Sequence, residues 1–291
     1  MEIKSGLRKS KKDIRDFNYT KAFGAIDVSY LPKEFYVSQP LEIKDQQGTD
    51  FCTSFSAASV REDTEELLLD PLWLWSQAAK IRRDYKSWGM DLRTGAKAVV
   101  KGILEKQESP FGLDKERDFL ANWENWPEEL KIKADKHKAM SYFWIDTDNL
   151  FDNIRIALYQ NKDEKRSVWT GCDFKFSWLQ KEKGIIDDYD SKETSFGHAI
   201  KIYGWKEINN ETYLVAQLSN GNIGDNGLMY FNKKVINSPL FRFGALTFKD
   251  FDPIEYKKLQ WTLLQLMYDY LKLLQLFIIL KYKKLGLIWK K

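Results

Sequence analysis

Asp45-Gln46-Gln47-Gly48-Thr49-Asp50-Phe51-Cys52-Thr53-Ser54-Phe55-Ser56-Ala57 is the stretch on which the reading of this chain turns. It puts a cysteine at the head of a run without Gly or Pro, with small residues directly after it. That pattern predicts a helix from Cys52 into the 60s, closely approached by other elements. A helix N-terminus favours negative charge, so the position predicts an acidified thiol. Gln46, six residues upstream, carries a side-chain amide able to donate to a developing oxyanion beside the Cys52 backbone N–H. The chain has only two cysteines and two histidines. The second local signature is Gly197-His198-Ala199-Ile200-Lys201-Ile202-Tyr203-Gly204-Trp205, with His198 at the opening of a strand. A thiol and an imidazole so placed are the parts of a nucleophile and its general base.

Away from these two segments the sequence sets bounds. The 291 residues suit one large domain or two small ones, and a 43% hydrophobic, 15% aromatic composition is enough for a substantial core. The net charge of +4 is spread thinly, which argues against a nucleic-acid partner. Cys52 and Cys172 make no disulfide framework, so a reducing compartment is expected. No apolar core of signal-peptide length opens the sequence, and the expected location is cytoplasmic or within a virion. No cysteine–histidine cluster has zinc spacing, so no metal and no cofactor is expected.

Residues 1–44 read as an extended, irregular segment, with Leu31-Pro32 and Gln39-Pro40 opposing helix. Asp70-Pro71 predicts a capped helix, and Asp91 a third that ends near Gly102. Residues 105–146 give no clear period. Leu150, Ile154, Ala157 and Leu158 predict a helix near 147–160. Strands are predicted at Val168–Thr170, Ala199–Tyr203, Tyr213–Gln217 and Leu228–Phe231. Helices first and strands later indicate an α+β fold in two lobes. Gly221-Asn222-Ile223-Gly224-Asp225-Asn226-Gly227 reads as a turn, because no Lys-Ser/Thr follows as a phosphate loop requires. Cys172 is expected in the core, and His137, between two lysines, in solvent. Residues 253–291 form a C-terminal amphipathic helix with apolar residues from Leu259 to Leu280 at intervals of three and four. Asp269 and Lys272 interrupt it as a transmembrane span. A docked helix, self-association, and membrane-surface contact aided by Lys281, Lys283, Lys284, Lys290 and Lys291 are all open for residues 259–280.

Together these segments resemble the papain-like cysteine proteases, in bacterial or phage-type form. The family's Gln-Gly-spacer-Cys pattern is matched by Gln46 to Ser56, and its His-Ala-Val pattern with following Gly-Tyr/Trp by His198 to Trp205. The two residues are 146 apart, inside the roughly 130–150 usual for the family. Trp88-Gly89-Met90-Asp91-Leu92, Gly184-Ile185-Ile186 and Gly224-Asp225-Asn226-Gly227 give further echoes in the same order, so the likeness covers about residues 30 to 250. It implies a helical lobe plus a β-rich lobe within residues 45–252. It also implies a protein or peptide substrate, a Cys52 nucleophile, a His198 base and a Gln46 oxyanion donor. The family's orienting Asn is not matched directly. One alignment puts Gln217 there, another puts Leu218 there and leaves Asn220 close by, so Gln217 and Asn220 both stand as candidates. Residues 1–44 are too short to resemble a folded inhibitory propeptide, so control of activity is expected elsewhere. Two rival readings remain: a catalytically silent papain-like module of a phage or cellular assembly, and a thiol amidase of cell-wall peptides, whose Cys-to-His spacing is usually shorter.

Overall fold

The computed structural model describes residues 6–11, 13, 16–84, 89–109 and 126–284. The predicted Trp88 echo and Lys290 and Lys291 of the tail lie outside these. The chain divides into two units, Met1–Lys249 and Asp250–Lys291.

In the first unit the helix Cys52–Glu65 sits at the centre. Every residue from Cys52 to Asp63 is buried, so this helix has no solvent face and no need of an apolar stripe. Its serine hydroxyls are satisfied locally. Ser54 Oγ donates to Phe51 O (2.9 Å), Ser56 Oγ to Cys52 O (2.6 Å) and Ser59 Oγ to Phe55 O (3.1 Å). Hydroxyls that bond back one turn can be buried without loss of a hydrogen bond. Its charges are paired across to other segments, Lys44 Nζ to Glu62 Oε1 at 2.7 Å and Lys201 Nζ to Asp63 Oδ1 at 2.5 Å.

Around it pack Pro71–Arg82, started by Asp70 accepting from Leu72 N (2.8 Å), and Leu92–Lys101, started by Asp91 accepting from Thr94 N (3.0 Å). Both starts are those the sequence predicts. The other wall is a mixed sheet, most of whose strands follow these three helices in the chain. Its order is Phe17–Asn18, Ser141–Ile145, Ala245–Lys249, Val168–Lys175, Ser195–Ile208, Glu211–Gln217, Leu228–Asn232 and Ile185–Ile186, with Phe35–Tyr36 also on Ser195–Ile208. Trp169, fully buried, joins the two walls by donating its Nε1–H to Ser56 Oγ at 2.8 Å. A helical lobe and a β-rich lobe thus share one α+β fold. The helix near 147–160 spans Leu150–Gln160, and the region without a clear period holds the helix Glu128–Asp135 and the strand Ser141–Ile145.

Three readings are corrected. His198 does not open its strand but is the fourth residue of Ser195–Ile208, because the ladder with Val168–Lys175 runs on to Ser195. His137 is not solvated: its ring lies between Glu65 (Nδ1–Oε2 2.8 Å) and Glu105 (Nε2–Oε1 3.3 Å). Residues 1–44 are not wholly irregular, since Tyr19–Phe23 is a short helix capped by Asn18.

The second unit is the helix Pro253–Lys284. Among the described residues no helix is long and apolar enough to cross a membrane.

Candidate active site

Cys52 is the first residue of the central helix and is completely buried. The Ala199 backbone and Thr53 hydrogen-bond to it. Ala199 follows His198 in the chain, so the helix head and the His198 strand meet at the sulfur. His198 is also buried, 2% exposed, with its ring edge-on to Phe174 (5.3 Å) and Phe196 (5.8 Å). Its backbone lies opposite Cys172 in the ladder. Cys172 is a free, fully buried thiol.

What covers the sulfur is the chain's own N-terminal segment. Leu7–Arg8 pairs in parallel with Met90–Asp91. Gly6 N donates to Gly197 O at 3.1 Å, and Gly6 O accepts from Met90 N at 2.9 Å and from Thr53 Oγ1 at 3.0 Å. A Cβ on Gly6 would overlap Cys52 Sγ and stand 2.6 Å from Asp50 O, so only glycine passes here. Leu7 follows into an apolar cluster with Phe243 and Ala199. It lies over Gly171, where a Cβ would overlap its Cδ2. Control of access was expected outside residues 1–44; the segment at 6–8 instead lies directly on the thiol.

The electrostatics follow from this cover. Burial pushes the Cys52 thiol up to about 12, against the hydrogen bonds from the Ala199 backbone and Thr53, which act to lower it. The acidification expected from the helix N-terminus is therefore overturned, because desolvation of a thiolate outweighs a partial dipole charge. Burial likewise pulls His198 down to about 4, opposed by a hydrogen bond with Asn220. Both groups are neutral in the covered state at pH 7.

The remaining predicted residues separate into two sets. Gln46 N donates to Ser219 O (2.8 Å), Ser219 Oγ donates to Gln46 Oε1 (2.6 Å), and Gln46 Nε2 donates to Thr49 O (2.5 Å). Asp45 bridges to Asn220 in the same place. Gln46, Ser219 and Asn220 are thus locked together beside His198. Gln217 is turned away: its Nε2 donates to Glu42 O at 2.6 Å, and its strand pairs with Lys201 and Leu228. His198 Nε2 is buried without a hydrogen-bond partner. Sequence reasoning missed the hydrogen bonds of Ser219 to Gln46 and of Thr53 to Gly6, and Gly6 as a cover. Ser219 had a signal in its place next to Asn220; Gly6 had none. The segment 221–227 is a turn closed by Gly227 N to Ile223 O (3.0 Å). Among the described residues, no three His, Cys, Asp or Glu side chains are grouped to hold a metal.

No family model matches the chain, and neither does any curated protein. Solved structures do. Xylellain, a cysteine protease from Xylella fastidiosa, superposes with a TM-score of 0.70 at 20% identity, over 87% of this chain and 98% of that one. The digestive procathepsin L 3 of Tenebrio molitor larval midgut gives 0.56 at 14% identity over 85% and 74%, and the bromelain protease from Ananas comosus 0.56 at 13% over 75% and 99%. The chain has the fold of the papain-like cysteine proteases.

Proposed function

We propose that the chain is a cysteine peptidase whose substrate strand enters where residues 6–8 now lie. The observation that carries this reading is the Gly6 backbone, bonded on one side to Gly197 O and on the other to Met90 N, directly over Cys52. Backbone groups that hold one extended peptide segment against a thiol suit a peptide substrate in the same place.

In this mechanism Cys52 Sγ attacks the scissile carbonyl carbon while its proton passes to His198. The former carbonyl oxygen takes the negative charge and is met by the Cys52 backbone N–H and by Gln46 Nε2–H, the second amide proton of a group whose first is spent on Thr49. Collapse of the tetrahedral adduct breaks the C–N bond, and His198 returns the proton to the leaving amine. Water, deprotonated by His198, then attacks the thioester, and the thiol leaves with the proton restored. Asn220 acts through His198 as a positioning residue, in the role for which Gln217 was the other candidate. Ser219 acts through Gln46. A covered site with both partners neutral is a resting form; departure of residues 6–8 rehydrates the thiol and allows the ion pair to form.

The same cover also favours a second reading, the silent module, in which the seal never opens. A single comparison separates them. An electrophilic peptide is offered to the native protein and to Gly6→Leu, whose side chain has no room over the sulfur, and the modified residue is mapped. The peptidase reading expects modification at Cys52, faster in Gly6→Leu, together with hydrolysis of an unstructured protein that Cys52→Ala abolishes. Modification absent from both proteins, or hydrolysis unchanged in Cys52→Ala, rejects it.

A further inference from the structure

We propose that the helix Pro253–Lys284 lies along an anionic lipid surface, with its apolar half in the acyl boundary and its lysines at the headgroups. At 100° per residue, Leu263, Leu266, Met267, Tyr270, Leu274 and Phe277 fall on one side of this helix, and each is between 43 and 66% exposed. Gln265, Asp269, Lys272 and Gln275 fall on the other, with Tyr268 and Leu276 among them. The described apolar stretch 263–278 runs for about 24 Å. A helix with so wide an apolar face, its charged and amide residues gathered opposite, and too short in apolar length to cross a bilayer, is suited to the plane of an interface.

Charge selects the partner. Residues 253–291 carry eight lysines and no arginine against Glu255 and Asp269, a net of +6. The whole chain carries only +4, so the residues before them carry a net of −2. The positive charge is therefore concentrated on the segment that exposes the apolar face. It also sits at both ends, with Lys257 and Lys258 before the apolar stretch and Lys281, Lys283 and Lys284 after it. A second copy of the helix would cover the apolar face but would bring lysines onto lysines in either orientation. Anionic headgroups answer the apolar face and the charge together.

The test is flotation of the full-length protein with vesicles of phosphatidylcholine alone and with about a third phosphatidylglycerol. The protein is expected to float with the anionic vesicles and to remain behind with the neutral ones. Lys281→Gln, Lys283→Gln and Lys284→Gln together keep the apolar face and should weaken partitioning about a hundredfold. Leu266→Asp with Leu274→Asp should abolish it, while the melting of the papain-like unit stays as in the parent. Equal flotation with both vesicle types, or no flotation with either, overturns the proposal. So does a dimer in sedimentation that Leu266→Asp with Leu274→Asp dissolves while flotation is unchanged, which would assign the apolar face to a second copy.

Discussion

At the scale of the residue, the site depends on which side chains find a nearby partner. Cys52, Gln46 and His198 could be nominated from sequence because each sits in a short segment whose neighbours carry the signal. The contact that turns Gln217 aside could not be read there, because it rests on the register of Glu211–Gln217 and on the Glu42 carbonyl that takes the Gln217 amide. In the Gly6→Leu background, Gln46→Ala should lower turnover of a peptide substrate about a hundredfold or more with little change in KM, as expected for a donor used mainly in the transition state. Ser219→Ala should lose a smaller part of the same kcat, since it only steers the amide; equal losses would mean that Ser219 has some other role. The pH dependence of stability follows from His198. Its ordinary value of 6.5 is depressed to about 4 in the folded chain, so between these values the unfolded chain binds the extra proton. This contribution is intact above pH 6.5 and is lost as the pH falls through 4, by up to about 3 kcal/mol. Urea unfolding from pH 7 down to 4 should show this loss in the parent and a shallower one in His198→Gln. Parallel curves would show that burial of His198 is not its source.

At the scale of the element, the central helix shows why local pattern and burial part company. Its start was readable from Cys52 and the small residues after it. Its surroundings were not, because Arg61, Glu62 and Asp63 look like a solvent face and are all buried. They are paired with groups distant in sequence, and Lys201 comes from the same strand as His198. The Lys201–Asp63 pair therefore pins the helix that carries the thiol to the strand that carries the imidazole. Lys201→Met leaves a carboxylate buried without its countercharge and should cost about 3–5 kcal/mol, read as a fall in the urea midpoint. Lys201→Met with Asp63→Leu should recover most of that loss. If the double variant is no better than the single, the pair is not what holds these two elements together. The helix starts at Asp70 and Asp91 were readable for the opposite reason, since a capping carboxylate and its N–H lie within three residues of each other.

For the whole molecule, helices first and strands later was enough to name the class of fold, and the order of the short echoes fixed which known architecture it resembles. The path of residues 6–8 was beyond such a reading. A two-residue strand has almost no sequence signature, and its partners at Met90 and Gly197 lie some eighty to two hundred positions away. His137 was misread for the same reason, because Glu65 and Glu105 reach it from distant segments. Replacing Gly6 should lower the stability of the first unit by about 2–3 kcal/mol, since the displaced segment takes the buried Leu7 out of its apolar cluster. It should also raise the exchange rate of the Met90 amide, which loses its Gly6 acceptor. An unchanged Met90 exchange rate in Gly6→Leu would mean that the segment still lies in the groove. The strand over Cys52 has a chemical consequence too. Oxidation by peroxide requires a thiolate in contact with water, and here the sulfur has neither charge nor solvent. The covered chain is thus a form in which the Cys52 thiol can persist in an oxidising burst, with sulfenic acid forming only on molecules from which residues 6–8 have lifted away.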